Sequence, residues 1–474
     1  VIAADFIAFT ATAMPLAPTP SAEALFQQSI AHMESGDAAG AEGLLRKALD
    51  LAPGFADALT NLGFLLDQRG DLASAEVAYS QALAAGADSC ELHLNLGALL
   101  APQKRFAEAE QSYRAALRCD PLSAAAWSNL GVLYIALKRE AEAQQCLAKA
   151  LAIQPDHRKA RFNLGYVHLR QGRYEEGWQC MESRDWYAVF EKHFTIPRWQ
   201  GEPIAGRSIA VGYEAGHGDV IQFARYIPML KAAGASRITL ICHPALKTLM
   251  MTLEGIGSVI ALDEDVPSDG WDYWTPLMSL PYRFSTRAAS IPTYIPYLHT
   301  DAHKVQQWSN QLPHGRPRIG LVWKGNPRFD NDADRSLAHL RQLAPLWSVQ
   351  GAQFVSLQKG AGEDEPDTMG PGFPLTHLGP QMESFVDSAA LLVQMDLLIC
   401  VDTAMAHLAG ALGVPCWLLL PDYMTDWRWG SAGNSSLWYP DTMCLFRQGP
   451  SGNWTEAIAQ VTLALQTFVD NRTA

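Results

Sequence analysis

Two patterns of apolar and polar positions divide this chain. In the first, small and apolar residues return at one fixed interval. Asn-Leu-Gly stands at Asn61-Leu62-Gly63, Asn95-Leu96-Gly97, Asn129-Leu130-Gly131 and Asn163-Leu164-Gly165, a spacing of 34 residues each time. A fixed period of that length predicts helix–turn–helix units stacked into an α solenoid. Counting from Ala22, an atypical first repeat spans 22–55, with Gly36 at its turn and Pro53 as terminator. Repeats 56–89, 90–123 and 124–157 follow. Gly63, Gly97, Gly131 and Gly165 are expected where two helices touch too closely for a side chain. Ala75, Ala109 and Ala143 form a second ladder of small residues, and Ala82, Ala116 and Ala150 a third. Tyr79, Tyr113 and Leu147 are the large residues between them.

The second pattern has no period. Short apolar runs predict strands at Ser208–Gly212, Arg237–Cys242, Val259–Leu262, Trp271–Thr275, within the opening stretch Arg318–Asn326, and at Gln353–Gln358, Leu397–Val401 and Cys416–Leu420. Amphipathic stretches between them predict helices running to about Ala233, at 245–253, and at about 336–348, 383–394, 403–412 and 454–469. The last of these could cross back to the first strand–helix unit. Strand, glycine loop, helix is the opening of a nucleotide-binding unit, and it occurs twice. Residues 283–317, rich in proline and aromatics, read as the crossover between the two. The expected organisation is a tail at 1–21, a repeat array at 22–195, and two Rossmann-like halves at 196–312 and 313–474.

The repeat residues resemble the tetratricopeptide repeat over about four and a half copies. In the fifth copy Gly177 and Arg184 stand where alanines are expected, and Trp178, Trp186 and Trp199 follow, which suggests packing against the next domain. Two readings of Asn61, Asn95, Asn129 and Asn163 stand. As consensus residues they bond local backbone. As a ladder of amides, each with donor and acceptor, they hold an extended peptide without reading its sequence. The array resembles the asparagine-lined superhelix of protein O-GlcNAc transferases, which implies a protein acceptor. No repeated Lys or Arg flanks these asparagines, as a carboxylate clamp would require.

Composition narrows the classes. With 36 Lys and Arg against 49 Asp and Glu, the net charge of −13 argues against nucleic acid as the main partner. No apolar run reaches membrane-spanning length. The eight cysteines have no pair at metal or redox spacing, which favours reduced thiols and a cytoplasmic location. The first 20 residues are apolar but lack Lys and Arg, a poor match to a secretory signal.

The candidate chemistry lies in two loops. Tyr213-Glu214-Ala215-Gly216-His217-Gly218-Asp219 follows the first strand. Asp402-Thr403-Ala404-Met405-Ala406-His407 follows a buried strand and opens a helix, where backbone N–H groups favour phosphate. From spacing alone, Asp402 is equally a helix cap and His407 a packed histidine. Gly-Asp-Val after the first strand, with Asp-Thr-Ala-x-x-His-Leu-Ala-Gly-Ala-Leu-Gly-x-Pro later, resembles the heptosyltransferase-like glycosyltransferases of the GT-B fold over roughly 207–470. Trp-Lys-Gly-Asn-Pro, Pro-Leu-Met-Ser-Leu-Pro and Asp-Trp-Arg-Trp resemble the bacterial subgroup fused to tetratricopeptide repeats, some of them flagellin glycosyltransferases. The resemblance implies two Rossmann-like domains facing a cleft and a metal-independent, inverting transfer. It implies a nucleotide-sugar co-substrate and no further cofactor.

Asp219 matches the family's general base, with His217 a second candidate. Thr403, Ala404 and His407 match its donor-phosphate loop, beside Asp402, and Lys324 follows the strand where the family places a phosphate-binding residue, with Asn326 two residues on. Gln358 and Lys359 end a strand at the same edge and either touch the nucleotide or are solvated. Arg335-Ser336 either adds charge or starts a helix. Asp426 and Arg428, framed by Trp427 and Trp429, either hold a substrate or form a structural ion pair. True heptosyltransferases lack repeats and act on lipid-linked glycans. The main expectation is therefore transfer to a protein. The alternatives are a glycan or lipopolysaccharide-type transferase with the repeats as assembly module, and an inactive scaffold.

Overall fold

In a computed structural model the described residues are 20–315, 317–370 and 372–473. The expected tail at 1–21 lies almost wholly outside them. Five helical hairpins come first: α1 (Ala22–Glu34) with α2 (Ala38–Leu51), α3 (Ala56–Gln68) with α4 (Leu72–Ala84), α5 (Cys90–Leu100) with α6 (Phe106–Cys119), α7 (Ala124–Ala136) with α8 (Glu140–Ile153), and α9 (Arg158–Arg170) with α10 (Tyr174–Met181). Compactness divides the chain inside this array. One unit comprises residues up to 133 together with 149–155, and the other comprises 134–148 and 156–474.

Within the first unit, each hairpin is set by small residues. Ala41, Ala48, Ala75, Ala82, Ala109 and Ala116 are fully buried. A Cβ added at Gly63 would lie 2.5 Å from the Tyr79 ring, and one at Gly97 would lie 2.5 Å from the Tyr113 ring. The glycine is thus the socket for the tyrosine of the following helix. Asp37 and Asp71 cap α2 and α4, accepting from Gly40 N (2.9 Å) and Ser74 N (3.2 Å). Asp88, His93 and Cys119 also cluster in this unit, their ligand-type atoms within 4.8 Å, with the His93 ring 2.8 Å from the Asp88 carboxylate.

The second unit holds the final hairpin and two parallel sheets. In the first sheet the strands are β1 (Ser208–Gly212), β2 (Arg237–Cys242), β3 (Ser258–Ala261) and β4 (Tyr273–Pro276), ordered β3-β2-β1-β4. The second has β5 (Arg318–Val322), β6 (Gln353–Ser356), β7 (Leu375–His377), β8 (Leu397–Val401), β9 (Cys416–Leu420) and β10 (Met443–Arg447), ordered β10-β9-β8-β5-β6-β7. Every strand pair is parallel, and β8 is buried throughout, as a continuous apolar run requires when helices cover both faces. Each sheet therefore has a switch point beside its first strand, between β1 and β4 and between β5 and β8. Ligands of open α/β sheets bind at the carboxyl ends of such strands.

Several expectations change. The helix after β1 is broken: His217–Phe223 is α-helical, Ala224–Tyr226 is a tighter turn, and Ile227–Ala232 restarts with Pro228 near its start. Leu340–Ser348 is 3₁₀ with Pro345 inside. The final helix, Thr455–Thr473, does not cross back. Its Ile458, Val461, Leu465 and Val469 share a core with Leu340, Leu343 and Leu346 on the second sheet. β7 and β10 were not anticipated; both are outer strands, and β7 has only three residues. Helix Ala302–Ser309 precedes the expected boundary at 312 yet bonds the second half, through Trp308 Nε1 (3.1 Å) and Lys304 Nζ (2.9 Å) donating to Asp387.

The socket geometry predicts opposite signs for one substitution. Gly97→Ala pushes a methyl into the buried Tyr113 ring and should destabilise by about 1–3 kcal/mol, less the gain in helix propensity. Gly43→Ala in α2 meets nothing within 4 Å and should stabilise by about 0.5–1 kcal/mol. Urea unfolding of the two variants measures both; equal effects would remove the socket role.

Candidate active site

The site is built on the two switch-point loops. Gly216 caps helix His217–Phe223, and Asp219 in its first turn accepts from Gly216 N at 2.8 Å. The other Asp219 oxygen is paired with the Arg428 guanidinium. Both carboxylate oxygens are thus oriented, one as a helix cap and one in an ion pair. Burial raises its pKa, opposed by the Arg428 charge and the Gly216 bond.

The second loop follows β8. Thr403 is the N-cap residue of helix Ala404–Leu412, yet its side chain caps nothing. Its Oγ1 is buried and has no partner among the described residues. Leaving such a hydroxyl unbonded costs about 1–3 kcal/mol. The first N–H groups of a helix also lack intrahelical acceptors, so this terminus collects donors in one place. The pairing of β5 with β8, Val322 opposite Cys400, makes the loops that bear Lys324 and Asp402 leave adjacent strands at the same carboxyl end of the sheet.

The two loops meet. A Cβ on Gly218 would lie 2.9 Å from His407 Cδ2 and 3.5 Å from Ala404 Cα. Helix His217–Phe223 therefore packs against helix Ala404–Leu412 only because residue 218 has no side chain. His407 lies beneath this contact. Its Nδ1 is 3.1 Å from the Tyr439 hydroxyl and its ring stacks on Trp429 at 5.3 Å. Burial first, then the Arg428 charge, lowers its pKa to about 3. His407 is therefore neutral, with its Nδ1 engaged by the Tyr439 hydroxyl.

Other candidates are committed elsewhere. Lys324 Nζ is paired with Glu365. Gln358 is fully buried: its oxygen accepts from Trp323 N (2.8 Å) and Lys324 N (3.0 Å), and its nitrogen donates to Lys324, Lys359 and Ala361 carbonyls. It ties the β5 and β6 loops together and is not solvated. Asn326 is exposed and accepts from Arg328 N at 3.0 Å, a local turn bond. Arg335 bonds Asp332 at 3.1 Å and lies over the Phe329 ring. His217 packs edge-on against His243 at 4.6 Å and Phe385 at 5.5 Å, and burial lowers its pKa. Asn61, Asn95 and Asn129 are each partly buried in the first helices of their hairpins, and the Nδ2 of Asn129 is buried without a partner. Asn163 is partly buried on α9.

Sequence reasoning left the most connected segment undecided. Asp426-Trp427-Arg428-Trp429 follows β9, and Arg428 donates to both oxygens of Asp426 (3.0 and 3.1 Å), to Gln222 and to Asp219. Trp429 Nε1 donates to Asp402 at 2.9 Å. Tyr166 of α9 donates to Asp426 at 2.9 Å, and Trp178 of α10 packs edge-on against Trp427 at 5.4 Å. Arg184, taken as a sign of repeat decay, is buried with its guanidinium on Glu214 (2.8 and 2.7 Å) and Ser279 (2.8 Å). Glu214 also accepts from Met278 N (2.8 Å), joining the β1 and β4 loops. The signal was present in the sequence: a charged residue where the repeat demands alanine.

Against this geometry, comparisons with known proteins are informative mainly for the repeats. Tetratricopeptide repeat models match residues 32–101 and 122–176. The chain therefore carries tetratricopeptide repeats in front of an α/β unit of two parallel sheets. It is similar to Protein FlbA of Caulobacter vibrioides, 26% identical over 304 residues, covering 58% of this chain and 49% of that protein. The chain thus spans about half the length of that curated relative. Among solved structures it is similar to Pseudomonas aeruginosa PilF, with 25% identity, a TM-score of 0.32, and coverage of 34% of this chain and 74% of that one. It is also similar to MamA, with 20% identity, a TM-score of 0.30, and coverage of 33% and 91%. No helix of the described residues is long and apolar enough to cross a membrane.

Asp402 gives a pH prediction. Burial first, then Asp426, raises its pKa from 3.8 to about 6 despite the Trp429 bond. The folded state therefore holds this proton more tightly than the unfolded chain. The associated stability is present below pH about 4 and is lost as pH rises through about 6. Asp402→Asn should raise stability above pH 7 by about 1–3 kcal/mol, with no gain at pH 4. Urea unfolding at the two pH values checks this; a loss at both would mean that the charged carboxylate is needed for the fold.

Proposed function

We propose that this protein is a glycosyltransferase of GT-B type that moves a sugar from a nucleotide-sugar donor to a protein acceptor held by its repeats. The observation that carries the reading is the buried, unpartnered Thr403 hydroxyl at the start of a helix, set at a switch point and packed against the loop that bears Asp219. In this reading the donor diphosphate lies against the helix start, where N–H groups and Thr403 take up the charge that develops as the phosphate leaves. His407 supports the helix from below, and its neutral ring places no positive charge that must be desolvated. Asp219 takes the proton from the acceptor hydroxyl as its oxygen attacks the anomeric carbon, and the sugar–phosphate bond breaks on the opposite side. That is direct displacement with inversion. Tetratricopeptide repeats generally bind protein, so the acceptor is proposed to be a protein, with flagellin-like chains the first to test. The resemblance of Trp-Lys-Gly-Asn-Pro and Asp-Trp-Arg-Trp to the repeat-fused transferases supports that choice.

One observation favours a second reading, a scaffold without turnover. The basic side chains nearest the phosphate loop are already paired: Lys324 with Glu365, Arg335 with Asp332, Arg428 with Asp219 and Asp426. A panel of nucleotide sugars screened by thermal shift, followed by intact-mass analysis of flagellin-type acceptors, separates the two. A transferase binds one donor class and adds one sugar mass per site. A scaffold does neither.

Asp219→Asn should lower turnover by about 10²–10⁴-fold while donor affinity holds. Asn still accepts from Gly216 N and Arg428 keeps Asp426, so the stability loss should be about 1–3 kcal/mol. Near-normal turnover at a temperature where the variant is folded would take the base role from Asp219. Thr403→Val should weaken donor binding about ten- to a hundredfold; unchanged calorimetric affinity would place the phosphates elsewhere.

The acceptor side has its own test. Replacing Asn61, Asn95, Asn129 and Asn163 together by Ala should weaken acceptor-protein binding without affecting turnover of a small hydroxyl acceptor. Binding that persists in the folded variant would make these amides structural only.

A further inference from the structure

We infer that the last tetratricopeptide hairpin is a working part of the transferase site, in which Tyr166, through Asp426 and Arg428, positions the Asp219 carboxylate. The inference rests on the proposed base role of Asp219. It adds that the repeats contribute a positioning residue as well as a binding surface.

The chain of contacts is short and continuous. The Tyr166 hydroxyl donates to Asp426 Oδ2 at 2.9 Å. Asp426 receives Arg428 Nη1 through both oxygens, at 3.0 and 3.1 Å, and Arg428 N at 2.9 Å. Arg428 Nη2 then reaches Asp219, while its Nε is held by Gln222. A guanidinium has its donors in one rigid plane. Fixing two of its nitrogens therefore fixes the third. Asp426 and Gln222 aim Arg428, and Tyr166 aims Asp426.

Around this chain the packing leaves Arg428 little alternative. Its guanidinium lies over the Trp427 ring at 4.6 Å and the Phe223 ring at 5.4 Å. Trp178 of α10 closes the far side of both rings, edge-on to Trp427 at 5.4 Å and to Phe223 at 6.3 Å. Arg170, one turn beyond Tyr166, donates to Thr425 O at 2.8 Å and so holds the residue before Asp426. Three side chains of the final hairpin thus hold one loop. A repeat that served only to extend a solenoid would have no need of them.

A carboxylate base must be both oriented and ionised at working pH. The groups that bear on Asp219 are Arg428 on one side and, from the other elements around it, Asp426, Glu214, Tyr213 and the Gly216 N–H. Arg428 is the cation among them, and it opposes burial and the two acidic neighbours. Moving it away raises the proton affinity of Asp219, so the acid limb of activity shifts to higher pH.

The test uses Tyr166→Phe, which keeps the ring and removes the donor, with Arg428→Lys and Arg428→Gln in the full chain. Two readouts are needed: the titration of the Asp219 carboxyl by carbon NMR of aspartate-labelled protein, assigned with Asp219→Asn, and the pH profile of nucleotide-sugar turnover. Tyr166→Phe should lower kcat about tenfold or less at unchanged KM for the nucleotide sugar. Arg428→Gln should raise the Asp219 titration by about one unit or more, with Arg428→Lys restoring part of the shift. An Asp219 titration and acid limb unmoved in both Tyr166→Phe and Arg428→Gln would overturn the inference. Should Arg428→Gln not fold, Tyr166→Phe alone decides. If the titration moves but wild type turns over no nucleotide sugar, the positioning chain stands and the transferase reading falls. If turnover requires Asp219 yet ignores Tyr166→Phe, the reverse holds.

Discussion

The ion-paired loop Asp426-Trp427-Arg428-Trp429 is the constraint on which the rest of the second unit depends. Its four side chains point to four different tasks. Asp426 receives the final repeat, Trp427 packs under it, Arg428 holds the first switch-point loop, and Trp429 holds the second through Asp402 and stacks on His407. Arg428 is buried, and a buried cation is tolerated only when its donors are matched. Asp426, Asp219 and Gln222 together match them. Each holds a different nitrogen of one planar guanidinium, so the three partners are oriented together.

A second ionic knot does the same for the first sheet. Arg184, Glu214, Ser279, Glu182 and Arg198 share one network at the base of the glycine loop. The two knots come from opposite ends of the same short stretch of chain, 166–198. That stretch begins as a repeat and ends as the edge of a sheet domain. It explains why compactness places the last hairpin with the sheets. The alanines that would let another hairpin stack have been exchanged for Gly177 and Arg184, and the hairpin turns its contacts toward the sheets instead. Trp178, buried among Phe223, Trp427 and Trp438, is the apolar part of the same exchange.

Electrostatics around the two loops follow from burial more than from charge count. The chain is acidic overall, yet at the loop after β8 burial keeps Asp402 protonated to about pH 6 and His407 neutral down to about pH 3. The carboxylate is therefore anionic only above that pH, and the imidazole adds no charge of its own. The helix start supplies the positive potential, with fixed dipoles that need no counter-ion.

The repeats were legible residue by residue because a solenoid is local. Gly63 and Gly97 meet the tyrosines of their own hairpins, so a 34-residue window contains the whole contact. The strand–helix alternation was legible for the same reason, since buried parallel strands are written as unbroken apolar runs. Asp219, Thr403 and His407 were visible as loop residues after strands. Their states were not. The partners of Asp219 and Asp402 come from Arg428 and Trp429, and those of Arg184 from Glu214 and Ser279, residues separated by up to 209 positions in the chain. Tertiary closure likewise decided the clasp made by Gln358, the neutral burial of His407, and the docking of the last helix on the second sheet. Sequence alone determined the repeat hairpins and the inner strands of both sheets, because those depend on neighbours within a few residues; the outer strands β7 and β10 and the breaks in two helices did not follow from it. Which charges are paired, which groups are buried, and which repeat belongs to the site were decided only when the chain closed on itself, because desolvation and ion pairing are properties of the enclosed space.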